Sequence, residues 1–268
     1  MTFEEAMVGL GELARGGVEV PGSVRLELRE STARIVIDNP DSRNAMTLRM
    51  MVELGEAVRH LRAWSGAVVI LEATGERAFC SGGHLKDVLT RVRTAEQARM
   101  MCMAMGTVLN ELRALPVLSV TWVQGLALGG GAELATSGDL LFMSAEAKVH
   151  FVHARLGIVP GWGGAGRLRA RVGDKVAESI LAEATPMGAR RCLQVGLAGE
   201  VYSGRAAMLK AQVEPRAMWG HAAVQALKQA CGWRPGSGTS GLEDEAMSFA
   251  RVWLGEAHRE ALDSRGLV

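Results

Sequence analysis

A chain of 268 residues, 48% of them hydrophobic and 22% charged, can bury one large core, or one core with a small helical annex. Its formal net charge of +1 gives no argument for nucleic acid or a membrane surface as partner, and no apolar run is long enough to span a bilayer. The acidic start Met1-Thr2-Phe3-Glu4-Glu5 lacks a leader pattern, and the cysteines Cys80, Cys102, Cys192 and Cys231 show no metal-ligand or disulfide spacing, so a cytoplasmic protein without a metal is expected.

Residues 3–13 read as a short amphipathic helix, followed by breaks at Gly16-Gly17 and Pro21-Gly22. Residues 24–30 and 33–38 alternate apolar and polar side chains and predict a hairpin of half-buried strands. Thr47 opens a helix with Met51, Leu54, Val58 and Leu61 on one face, ending at Trp64-Ser65-Gly66. Residues 67–73 form a buried-strand run that leads into Ala78-Phe79-Cys80-Ser81-Gly82-Gly83-His84-Leu85, a small-residue turn that exposes backbone N–H groups. Thr94 and Gln97 match a capping box for a helix carrying Met100, Met101, Met103 and Met105. Such a methionine cluster suits core plasticity or the wall of an acyl pocket.

A second buried-strand run, 117–123, leads into the stretch from Gly125 to Asp139. Gly129, Gly130 and Gly131 open a short helix predicted over 132–137. Glycine lets a ligand approach the backbone, and the first N–H groups of a helix lack intrahelical partners, so this entrance suits an anion or a developing oxyanion. Glu133 in the first turn has two readings, complementing the helix dipole or catalysis. Further on, Arg167, Arg169 and Arg171 follow a glycine-rich segment; their period of two scatters them around a helix and argues against a phosphate-binding stripe. A helix, the breaker Pro186-Met187-Gly188 and a second short helix fill 177–201. A helix over 215–230 starts with Pro215 in its first turn. A connector over 234–241 then leads to a last amphipathic helix marked by Leu242, Ala246, Phe249, Trp253 and Ala257.

Four stretches carry a family resemblance: Ser42-Arg43-Asn44-Ala45-Met46, Ala78 to Leu85, Gly125 to Asp139, and Gly157-Ile158-Val159-Pro160-Gly161-Trp162-Gly163-Gly164. In order and spacing they resemble the crotonase (enoyl-CoA hydratase/isomerase) superfamily, from about Val24 to Val201. The resemblance implies an α/β fold, a crotonase-like spiral of ββα turns with a C-terminal helical annex. It divides the chain into an N-terminal extension (1–22), a core (23–205) and the annex (206–268). It implies an acyl-CoA substrate with no separate cofactor, and a homotrimer or dimer of trimers. The family positions put the oxyanion-hole N–H donors at Gly83 and Gly130 and the first hydratase glutamate at Glu133. Substrate contacts are expected from Arg43 and Ala45 in the coenzyme A loop, from Ser81, Gly82, His84 and Leu85 around the first turn, and from Trp162. Arg43 is either a phosphate contact or a solvated loop charge.

The second glutamate of the hydratases falls on His153, so a paired-carboxylate mechanism is incomplete. The segment Lys148 to Gly164, with Trp122-Val123-Gln124-Gly125 and Gly129 to Leu134, resembles the ethylmalonyl-/methylmalonyl-CoA decarboxylase branch, where a histidine also precedes the Gly-Ile-x-Pro-x-Trp-Gly-Gly stretch. Decarboxylation needs fewer acids, because loss of carbon dioxide itself delivers the enolate. His153 then donates a proton or orients the carboxylate; the plain alternative is a core histidine. His84 departs from the aspartate this branch prefers; it bonds the loop backbone, binds the substrate carboxylate or does neither. The resemblance therefore implies decarboxylation of a small 2-carboxyacyl-CoA. The alternatives are an enoyl-CoA hydratase or isomerase using Glu133, and a non-catalytic acyl-CoA-binding member. On this reading Glu133→Gln keeps the carboxylate's hydrogen bonds and harms turnover less than His153→Ala.

Overall fold

The hairpin that the alternation predicts is the edge of a six-stranded sheet. In the computed structural model, which describes residues 1–16 and 20–230, β1 (Ser23–Leu28) pairs antiparallel with β2 (Thr32–Asp38). From there β3 (Val68–Ala73), β5 (Leu118–Val123), β7 (Leu140–Ser144) and β10 (Glu200–Tyr202) add in parallel. A smaller sheet runs β4 (Ala78–Cys80), β6 (Leu126–Leu128), β8 (Lys148–His150), with β9 (Met187–Gly188) antiparallel at its edge. The predicted connector at 234–241 and the stretch from Leu242 to Ala257 lie outside the described residues, as does Cys231.

The chain passes repeatedly from a strand of the large sheet to a strand of the small one and then to a helix. β3 and β4 are followed by α3 (Leu85–Arg91) and α4 (Ala95–Ala114), and β5 and β6 by α5 (Gly130–Ala135). β7 and β8 are followed by α6 (Gly164–Val172) and α7 (Asp174–Glu183). This is the ββα spiral that the resemblance implies. Each return places a strand end, with its following turn, at the seam between the two sheets.

β5 is buried along its whole length and β3 along all but its last residue, as parallel strands covered on both faces must be. Val69 and Leu71 of β3 face the main core, packed by α1 (Phe3–Ala14), α2 (Leu48–Leu61) and α4. Val68 and Ile70 point the other way. There they meet Leu118, Val120 and Trp122 together with Met208, Val213 and Val224. Those last three come from the segment after β10. It comprises α9 (Arg205–Met208), a π-helical turn, α10 (Glu214–Ala217) and α11 (His221–Ala230). α8 (Ala189–Gln194) lies earlier, between β9 and β10.

Three sequence expectations meet detail here. Residues 1–22, set apart as an extension, contribute Phe3, Ala6, Met7 and Leu10 to the main core. A Cβ at Gly55 would stand 2.1 Å from Met7 Sδ, so a larger residue there would make the Met7 side chain move. The methionines of α4 divide: Met105 is fully buried, Met100 and Met101 are partly buried, and Met103 is exposed. The single helix expected over 215–230 is interrupted at Met218-Trp219-Gly220, where glycine lets the chain leave the helical path before α11 begins.

Two buried charges of the large sheet and its outer covering, Glu72 and Lys228, are paired. Glu72 on β3 accepts from Arg34 of β2 and from Arg205 Nη2 at 2.9 Å, which ties the start of α9 to the sheet. Lys228 of α11 donates to Asp139 Oδ2 (2.8 Å), Arg113 O (2.8 Å) and Val117 O (2.9 Å). Ser119 N and Oγ donate to the same Asp139 oxygen at 2.8 and 2.7 Å. Burial pushes the Lys228 ammonium below its usual pKa, and Asp139 opposes that shift. Breaking such a pair strands a buried carboxylate. Lys228→Met is expected to lower stability by about 3 kcal/mol, seen as a lower thermal midpoint, with partial recovery when Asp139→Asn is added.

Candidate active site

The first motif is locked to the second by short-range backbone geometry. Arg43 and Asn44 both take left-handed backbone angles, φ 54° and 55°. This turns the Asn44 amide inward, where Nδ2 donates to Thr74 O (2.8 Å) and Ala78 O (2.9 Å) and Oδ1 accepts from Asn39 N (2.8 Å). Asn44 thereby clamps its loop to the β3–β4 connection, and nothing in the sequence reading assigned it that work. Ser81 N donates to Arg43 O at 3.1 Å. A parallel bridge between Met46 and Gly83 uses the N–H groups of Met46 and His84. The Gly83 N–H takes no part in that bridge.

The two glycine turns adjoin. Gly82 has φ +95°, and a Cβ there would stand 3.2 Å from the backbone nitrogen of Gly130. Gly129 has φ +57° and Gly130 is the first residue of α5, so the Gly130 N–H has no intrahelical acceptor. A Cβ on Gly131 would fall 1.9 Å from Cys80 O, and one on Gly130 would fall 2.7 Å from the Trp162 ring. Absence of side chains is what lets the second turn fit between β4 and the indole.

Glu133 faces away from its own helix start. Its Oε1 accepts from Gly161 N (3.1 Å), and its Oε2 from Trp162 N (2.7 Å) and Gly164 N (2.8 Å). His153 Nε2 lies 3.2 Å from Oε1. A carboxylate offers about four acceptor positions, and all are taken by protein donors once Nε2 carries its proton. Gly164 opens α6, so Glu133 supplies the negative group that the N-terminus of α6 calls for. Of its two sequence readings, dipole complementation is realised on a different helix. His153 is 5% exposed, and its Nδ1 has no partner among the described residues.

The remaining sequence candidates fall as follows. Ala45 is buried and Ser81 half-buried, with Ser81 Oγ donating to Ser42 O at 3.3 Å. Arg43 is exposed at the loop surface. His84 uses Nδ1 to accept from Asp87 N at 3.3 Å, capping the first turn of α3. Leu85 is 71% exposed. Trp162 is buried over Gly130. Cys80 and Cys192 are buried thiols whose pKa burial pushes up to about 12, which keeps them protonated and inert.

A family model described as Enoyl-CoA hydratase/isomerase matches residues 27–233. The chain belongs to that family. It is 34% identical to an ethylmalonyl-CoA decarboxylase of Xenopus laevis over 267 residues, covering 97% of this chain and 87% of that protein. The ethylmalonyl-CoA decarboxylase of Danio rerio is 37% identical, with coverage of 91% and 84%. Among solved structures, an enoyl-CoA hydratase from Bacillus anthracis superposes with a TM-score of 0.81 at 24% identity, covering 91% of this chain and 96% of that one. Pseudomonas aeruginosa AtuE superposes with a TM-score of 0.80 at 31% identity, covering 89% and 94%. The first likeness establishes the fold alone, and the crotonase-type α/β architecture is thereby that of the family.

The four donors around Glu133 overturn the expectation that Glu133→Gln keeps the hydrogen bonds. A glutamine amide has one accepting oxygen, and its NH2 would face a second pair of donors. Glu133→Gln is expected to lower unfolding free energy by about 2 kcal/mol through donors left unpaired, measured by urea denaturation.

Proposed function

We propose that this enzyme decarboxylates a small 2-carboxyacyl-CoA of the methylmalonyl or ethylmalonyl type. The observation that carries the reading is the commitment of Glu133. The site's carboxylate is consumed by three backbone donors and His153, and the second acid position holds that histidine. Hydration by a pair of carboxylates needs acceptor positions free for a water, and Glu133 offers none. The relatives named ethylmalonyl-CoA decarboxylase support the same choice.

The chemistry follows from two adjoining turns. The thioester carbonyl oxygen accepts from the Gly83 and Gly130 N–H groups. The bond between C2 and the carboxylate breaks, carbon dioxide leaves, and the electron pair moves into the carbonyl oxygen as an enolate. Pre-oriented backbone donors act where that charge develops, and each is worth roughly a hundredfold to a thousandfold in rate. C2 then takes a proton. His153, as an imidazolium with Nε2–H held by the Glu133 carboxylate, gives C2 the proton on Nδ1 or uses that N–H to hold the departing carboxylate, and the ring is reprotonated from solvent. The thioester is its own electron sink, so the reaction calls for no further cofactor. The clamped loop around Asn44 holds the coenzyme A portion, with Ala45, Ser81 and Gly82 lining its path and Arg43 exposed for a phosphate.

Mass analysis after incubation with methylmalonyl-, ethylmalonyl- and crotonyl-CoA tests this. Loss of carbon dioxide from the malonyl-type thioesters is expected. Addition of water to crotonyl-CoA as the better reaction would put the hydratase in its place, and no change in any thioester would indicate a binding protein. His153→Ala is expected to slow decarboxylation by about a hundredfold, as for a positioned acid.

A homotrimer or dimer of trimers in the cytoplasm completes the reading. Its support is the free thiols Cys80, Cys102 and Cys192, which suit a reducing compartment. Further support comes from large apolar side chains, Leu85, Leu89, Ile158 and Val159, exposed on the single chain. Sedimentation at micromolar concentration should give the trimer mass or twice it; monomer alone would overturn the assembly.

A further inference from the structure

Arg167, in the first turn of α6, is 5% exposed and forms no ion pair with a carboxylate among the described residues. Burial lowers its pKa to about 10, with the Glu133 charge acting against that shift and Arg113 adding to it. Charged groups are seldom buried without an opposite charge in contact. Its three nitrogens instead donate to three separate segments. Nη2 donates to Trp162 O (2.7 Å) and Glu133 O (3.3 Å), Nε to Thr136 Oγ1 (3.4 Å), and Nη1 to Asn110 Oδ1 (3.4 Å). The guanidinium therefore joins α4, α5 and its following residue, and the turn that enters α6.

The Trp162 peptide is gripped at both ends. Its N–H donates to Glu133 Oε2 at 2.7 Å and its carbonyl accepts from Arg167 at 2.7 Å. The next residue, Gly163, sits at φ +79°, where a Cβ would come 2.9 Å from Arg167 Nη1, so the turn is shaped around the guanidinium. The indole beyond that peptide packs on Gly130, with no room for a Cβ between them. We propose that Arg167 is a positioning residue for catalysis: it sets the Trp162 peptide, and through the indole it fixes where the Gly130 N–H points. The inference rests on the reading that this N–H receives the thioester oxygen. A planar fork with several N–H donors spans these acceptors at once; an ammonium cannot.

The test uses the full-length protein and butyryl-CoA labelled with carbon-13 at the thioester carbonyl. This probe has no carboxylate to lose, so its infrared carbonyl band is read without turnover. Bound to the wild type, the band should move to lower frequency than in free butyryl-CoA. In Arg167→Gln the displacement should largely vanish, and kcat on the malonyl-type substrate should fall about a hundredfold with KM within about threefold, because misplacing a donor costs the transition state more than binding. Arg167→Lys should lie between, with kcat down about tenfold. A purely structural role would lower the melting temperature yet leave the band and kcat of the folded protein at wild-type values, and that result overturns the proposal. If Arg167→Gln does not fold, Arg167→Lys decides by the same criterion. An undisplaced band in the wild type would overturn the oxyanion-hole reading itself, and the role of Arg167 with it; displaced bands in wild type and variants alike would sink only the role of Arg167.

Discussion

The carboxylate of Glu133 and the turn from Gly161 to Gly164 each supply what the other lacks. A side chain 2% exposed cannot keep a carboxylate in an apolar surround without donors at its oxygens. The turn before α6 has backbone N–H groups that neither a sheet ladder nor the helix itself can engage. Three of them meet Glu133. The match is close enough that Gly164 has no room for a Cβ, which would lie 2.3 Å from Glu133 Cγ. Once the turn is held there, Trp162 lies over Gly130 and His153 lies beside the carboxylate, so the glycine turn, indole and imidazole share one anchor.

That anchor changes what the glutamate does. A carboxylate free of protein donors could place a water, and the family fold accommodates many chemistries on one scaffold. Here the same position is held by three backbone donors, with the His153 ring beside it. On the proposed reading, replacing the acid–base pair by a clasp and a histidine puts the weight of catalysis on enolate stabilisation, which suits a reaction whose leaving group generates the enolate.

The spiral provides the frame for this. Its strand ends return to one seam, and glycines let the turns interpenetrate there: Gly82 beside Gly130, Gly131 against the carbonyl of Cys80. The outer face of the large sheet is covered separately by residues following β10, which Lys228 and Arg205 secure to Asp139 and Glu72. The inner layer, which carries the site, and the outer covering are thus stabilised by different contacts.

Much of this was legible in order along the chain. The alternation of 24–38, the mainly apolar runs of β3 and β5 and the capping box of α4 are local patterns, and local periodicity reports which faces are buried. The four motif stretches placed Gly83, Gly130 and Glu133 in the family's order, and the segment from Lys148 to Gly164 added His153. What they could not show was partnership. Glu133 meets its backbone donors 28 to 31 residues downstream, Asn44 meets its acceptors 30 and 34 residues away, and Lys228 reaches Asp139 across 89. Arg167 reads from sequence as one of three scattered helix charges and becomes a buried brace only when α4, α5 and the Trp162 turn converge on it. By itself the sequence determined the elements, their order and the residues offered to the site, because these depend on side-chain periodicity and backbone preference over a few neighbours. The tertiary structure alone decided which oxygen each donor reaches, because that depends on how distant segments share one volume, and in that volume the glutamate is a clasp.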